Sequence, residues 1–323
     1  MPSVRGILDK LIGKKPVETP PPITTRTAVL LLILYTFVYV VPFYLSSRTR
    51  PSAQLSRDAP SVIRARITSV LISCLICSLA TFYVVTKDGQ ISPMGALRMM
   101  GYSPVGFVET AKSLVLTMLL FLGPLFEYFV VERGWREWIA LTPVYELFGE
   151  WTTWRNIVAG PVTEEILFRS AGIPLMLLAK TSVTKTIFLT PIIFGLAHMN
   201  HFYEFRISHP QVPVAAAALR SVFQFCFTTL FGAYATFVFL RGGSLLSVCL
   251  IHAFCNSMGL PRLWGRVEPS AAAGEFAEDG QTRKPKATGL TVAYYLLLVT
   301  GAVLFYQNIF LLTKSPLELA VIQ

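Results

Sequence analysis

Apolar stretches long enough to cross a lipid bilayer recur along the whole 323-residue chain, and this feature constrains the fold more than any other. A helix of about 20 apolar residues spans a hydrocarbon core ~30 Å thick. Such stretches occupy residues 27–45, 66–85, 111–131, 160–179, 185–200, 221–240, 244–260 and 290–312, with 185–200 the shortest. They predict an all-α polytopic integral membrane protein with about eight transmembrane helices. The first stretch follows a Pro-rich polar segment, Pro20-Pro21-Pro22, and is too long for the core of a cleaved signal.

Composition supports the same class. Hydrophobic residues make up 53% of the chain and charged residues 14%, where soluble domains carry about 25% charged. A disordered chain, a nucleic-acid tail and a soluble enzyme are excluded, and no nucleic-acid partner is expected. The net charge of +10 reads as loop charge and attraction to anionic lipid. Lys and Arg are slightly more numerous on the side opposite the termini, which places that side in the cytosol. The five cysteines, Cys74, Cys77, Cys226, Cys249 and Cys255, lie mostly within apolar runs and read as packing residues.

The spans divide the chain. Residues 1–26 form a basic tail with a short amphipathic piece around 4–12. Residues 27–131 hold three helices, 160–260 a membrane core, 261–289 a flexible loop, and 290–323 the last span and C-terminal tail. Residues 132–159 differ: Trp135, Trp138, Trp151 and Trp154 accompany Arg133, Arg136 and Arg155. Tryptophan with arginine marks the headgroup zone, so an interfacial helix before the fourth span is expected.

Ionisable groups inside membrane helices are costly and usually functional. One cluster opens the fourth stretch at Gly160-Pro161, with Glu164, Glu165 and Arg169. Pro161 suits a first helical turn, where the helix dipole also favours carboxylates. Glu165 and Arg169 stand i, i+4 and can pair. Glu164 points about 100° away, free for acid–base work. A second cluster is Phe194 and His198 near the end of the fifth stretch, with His201, Glu204 and His209 read as loop or interface residues. A third is His252 and Asn256, one turn apart on one face of the seventh. All three clusters fall toward one membrane face.

A carboxylate and an imidazole can activate a water, and His with Asn can hold an oxyanion. That is peptide hydrolysis without a protein nucleophile. Two His and a Glu also suit zinc, although no His-Glu-x-x-His signature is present. The alternatives are a zinc-dependent membrane protease, a non-enzymatic membrane scaffold whose polar residues join helices, and a transporter, for which no paired broken helices are visible.

Glu164-Glu165-x-x-x-Arg169, Phe194-x-x-x-His198 and His252-x-x-x-Asn256, in this order, resemble the three motifs of the type II CAAX prenyl endopeptidases, across roughly residues 155–260. The resemblance implies removal of the C-terminal tripeptide from prenylated CaaX proteins such as small GTPases, at the endoplasmic reticulum membrane with the site facing the cytosol. It implies water activation by Glu164 and His198 and an oxyanion hole of His252 and Asn256, with Glu165, Arg169 and Phe194 in support. No cofactor and no metal ligands are implied, with zinc left open. Partition of the prenyl chain into lipid, at about 0.8 kcal/mol per CH₂, suits a site at membrane depth.

Overall fold

The computed structural model describes residues 20–52, 55–269 and 287–322, and every described regular element is helical. The amphipathic piece expected around 4–12 and most of the 261–289 loop lie outside the described residues. The main helices are α1 (Thr25–Val40), α2 (Pro60–Lys87), α3 (Phe107–Leu120), α4 (residues 151–178), α5 (Val183–Ala197), α6 (Asn200–Ser208), α7 (Val214–Gly242), α8 (Leu245–Met258) and α9 (Ala287–Leu312).

By length and composition, four of these segments can cross a membrane: 25–45, 60–87, 214–242 and 288–312. A fifth is α3 continued by residues 122–131, bent by 81°. Large apolar side chains on these helices face outward, among them Leu75, Leu79, Phe223 and Leu296, as a lipid-facing surface requires. The centre is formed by α4, α5, α7 and α8. Buried Leu167, Phe168, Leu175, Met176 and Phe194 join α1 and α2 to α4 and α5, while Ile173, Val238, Phe239, Val248 and Ile251 join α4 to α7 and α8.

Two expectations change here. Residues 132–159 do not form one interfacial helix. They hold short helices at Trp135–Ile139 and Thr142–Gly149, separated by Leu141 with φ +57°, and then the start of α4 at Trp151. Consequently Pro161, Glu164 and Glu165 do not sit in a first helical turn. Nine residues of α4 precede Gly160, so the helix dipole is not the source of carboxylate support. Pro161 is tolerated in the helix interior because the turn before it, Arg155–Ala159, is a wide π-turn that accommodates its ring and missing N–H. A second wide turn, Ile166–Ala171, follows the two glutamates. Single π-turns inside α-helices recur at functional sites.

Helices α5 and α7 pack closely because small residues face each other across them. A Cβ at Gly232 would lie 2.9 Å from Pro191 Cβ and 3.2 Å from Nη2 of Arg169. Gly232→Ala is therefore expected to lower stability by about 1–3 kcal/mol through overpacking. A thermal unfolding curve in detergent measures this, and an unchanged midpoint would contradict the packing described.

Candidate active site

The three polar clusters converge on one cavity of about 940 Å³ enclosed by the helices and lined by Glu164, His198, His252 and Asn256 together with Phe168, Phe194, Phe227 and Phe231. Glu164 comes from the α-helical turn between the two wide turns of α4. Its Oε2 lies 3.8 Å from His198 Nε2 and 3.8 Å from His252 Nε2. His198 caps the C-terminal end of α5, and His252 projects from α8.

Each imidazole is oriented from behind. His198 Nδ1–H donates to the carbonyl of Phe194 at 2.9 Å. His252 Nδ1–H donates to Glu165 Oε1 at 2.7 Å. These acceptors fix the proton on Nδ1 and turn each Nε2 toward Glu164. The expected i, i+4 pair is present: Arg169 Nη1 donates to the same Glu165 oxygen at 3.1 Å, with both side chains buried. Arg169 Nη2 donates to the carbonyl of Gly232 at 3.1 Å, which ties α4 to α7. Its guanidinium stacks 4.6 Å from the Phe194 ring centroid, and Phe194 in turn meets the His198 ring edge-on at 4.8 Å. Phe231, from α7, lies 4.5 Å from His252.

The two adjacent glutamates thus occupy unlike environments. Glu165 is fully enclosed and engaged by a cation and an imidazole. Glu164 is 21% exposed to the cavity. Asn256 lies at the cavity mouth, where one Nδ2–H donates to the carbonyl of Asn156 at 2.9 Å, leaving its second N–H for the cavity. Among the described residues no three His, Cys, Asp or Glu side chains are grouped to hold a metal ion.

Sequence reasoning missed a second charged group beside the site. Glu204 is buried rather than a loop residue. It accepts a hydrogen bond from Arg57 at 2.9 Å, His201 Nδ1–H donates to it at 3.2 Å, and Arg66 forms an ion pair with its other oxygen at 2.7 Å. Burial alone would raise its pKa, but the His201 hydrogen bond and the charges of Arg66 and Arg57 outweigh burial and hold it at about 2. The i, i+3 spacing of His201 and Glu204 was the available signal. Their partners are more than 130 residues earlier, so no local pattern revealed the cluster. Asn156 and Phe231 were also missed, having no polar spacing to mark them.

A polytopic helical membrane protein with a Glu, two oriented His and an Asn facing one cavity belongs to the class of membrane-embedded hydrolases. The sequence comparisons narrow this. The family described as type II CAAX prenyl endopeptidase, Rce1-like, matches residues 147–258, which hold all the converging side chains. The chain is 35% identical over 279 residues to a probable CAAX prenyl protease 2 of Schizosaccharomyces pombe, covering 86% of this chain and 91% of that protein. It is 34% identical to CAAX prenyl protease 2 of Homo sapiens, covering 67% of each chain. With that of Saccharomyces cerevisiae it shares 30% identity, over 72% of this chain and 79% of that protein. No solved structure matches. The chain belongs to the Rce1-like type II CAAX prenyl endopeptidase family and is a peptidase.

Proposed function

We propose that this peptidase removes the C-terminal tripeptide from prenylated CaaX proteins, small GTPases among them, by a water attack that uses no protein nucleophile. The convergence of Glu164 Oε2 and two imidazole Nε2 atoms, each 3.8 Å away, at an aromatic-lined cavity carries the reading. In this mechanism a water donates one hydrogen to Glu164 and one to His198, which leaves an oxygen lone pair for the peptide carbonyl. The C–O bond forms as Glu164 takes the proton. The oxyanion then accepts hydrogen bonds from Asn256 Nδ2–H and from His252. The C–N bond breaks as Glu164 passes its proton to the leaving amine.

The apolar wall suits an isoprenoid chain, with Phe188, Leu230, Phe305 and Ile309 alongside the Phe residues nearer the site. A lipid-anchored substrate then presents its peptide at the cavity mouth, where Asn256 sits. Helices α4, α5 and α8 form the core of an eight-helix membrane arrangement in this reading, with the Trp-rich segment at the headgroup level. The same reading assigns the enzyme to the endoplasmic reticulum membrane with the site toward the cytosol, as the resemblance of its motifs implies.

The test reconstitutes the purified protein in lipid vesicles with a farnesylated CaaX peptide. Tripeptide release is expected, and the unprenylated peptide should be cleaved far more slowly. Equal cleavage of the two peptides would remove the lipid-anchored substrate. A zinc chelator present throughout is expected to leave the rate unchanged, and full loss, restored by added zinc, would assign the water to a metal instead.

A further inference from the structure

The catalytic cavity does not end at His198. Arg57, Arg155, Asn156 and His201 line it and also line a second, smaller cavity of about 400 Å³. The second cavity is charged where the first is aromatic. Arg57 donates to Glu204, Arg66 forms an ion pair with it, and Arg155 donates to Asp58 at 2.7 Å. Arg220 adds a third guanidinium to its wall. Three guanidinium groups therefore face two carboxylates, Asp58 and Glu204, and the balance favours an additional anion. Arg57 holds its proton less firmly than usual, because it is desolvated and lies beside Arg155 and Arg66, although Glu204 opposes this. Arg155 engages Asn156 through Nε and Asp58 through Nη1, which leaves Nη2 without a partner among the described residues.

Distance connects this group to the chemistry. The His198 and His201 rings are 5.8 Å apart, and His201 Nδ1 lies 3.3 Å from Arg57 Nη1. Three extended residues span about 10 Å. A tripeptide beginning at the bond next to Glu164 and His198 has the reach to end beside Arg57 and Arg155.

We propose that Arg57 and Arg155 bind the free C-terminal carboxylate of the substrate and so set the length of peptide released. This rests on the endopeptidase reading above. Guanidinium groups hold a carboxylate through paired, charge-assisted hydrogen bonds. A chain continuing past the third residue carries no charge at that point and meets the walls of the smaller cavity.

The test compares two farnesylated peptides, one ending in a free acid and one in a primary amide, with the protein in phosphatidylcholine vesicles. The acid is expected to be cleaved with kcat/KM about 10- to 100-fold above the amide, chiefly through KM. In Arg155→Gln and Arg57→Gln the acid falls toward the amide, so that the ratio of their kcat/KM values closes toward one. Arg57→Gln unpairs one contact to buried Glu204, so Arg155→Gln, at a partly exposed position, carries the test if the former fails to fold. Equal kcat/KM for acid and amide in the unmodified protein overturns the inference, as does an acid–amide gap that Arg155→Gln leaves intact. Repeating the assay with phosphatidylserine added separates the other source of an anion. If Arg155→Gln loses activity only with that lipid, and equally for acid and amide, the arginines bind lipid headgroups and the inference falls. Cleavage of neither peptide overturns the endopeptidase reading and this inference with it.

Discussion

Glu164→Gln keeps the fold and loses tripeptide release by about 10²–10⁴-fold, the range attributable to a positioned general base. The amide has the shape of the carboxylate and cannot accept the water's proton. Glu164 makes no ion pair shorter than 3.8 Å and is partly open to the cavity, so its neutralisation removes little native stabilisation. The assay is peptide release in vesicles, with the unfolding midpoint measured alongside. Activity within a few-fold of the unmodified protein would remove Glu164 from the mechanism. His198→Ala should show a comparable loss, because its Nε2 is the other acceptor for the attacking water.

Arg169→Gln should do the opposite, damaging the fold before the chemistry. The side chain is 1% exposed, and it joins Glu165 on α4 to the Gly232 carbonyl on α7. Removing its charge leaves a fully buried carboxylate with only His252 as partner, a loss of about 3–5 kcal/mol. The expected result is a large drop in unfolding temperature or failure to recover folded protein. Replacing both partners, Glu165→Gln with Arg169→Gln, should recover part of that loss, since no isolated charge then remains buried. If the single variant unfolds at the same temperature as the unmodified chain, the buried pair is not the structural element described.

The contrast between these adjacent glutamates was legible in the sequence. The i, i+4 arithmetic assigned Glu165 to Arg169 and left Glu164 free, and the geometry agrees. The convergence of His198, His252 and Asn256 with Glu164 was also legible, because charge is so scarce in the apolar stretches that each exception stood out. The reason for the carboxylate support was not. Pro161 looked like a helix start, yet a proline can sit inside a helix when a wide turn precedes it, and nothing in the composition of Arg155–Ala159 marks a wide turn. The Glu204 cluster was hidden differently. Arg57 lies just before α2 and Arg66 within it, and only tertiary packing brings them to Glu204.

The wide turn at Arg155–Ala159 has one more consequence. A π-turn is a single extra residue in an otherwise regular helix, and one residue is worth about 100° of rotation. Arg155 and Asn156 open it, and Glu164 lies in the short α-helical segment beyond it. The angular phase between the charged cavity and the Glu164 carboxylate is therefore set by that insertion. Deleting one residue there would keep every named side chain in the chain and turn the two halves of α4 out of step with each other.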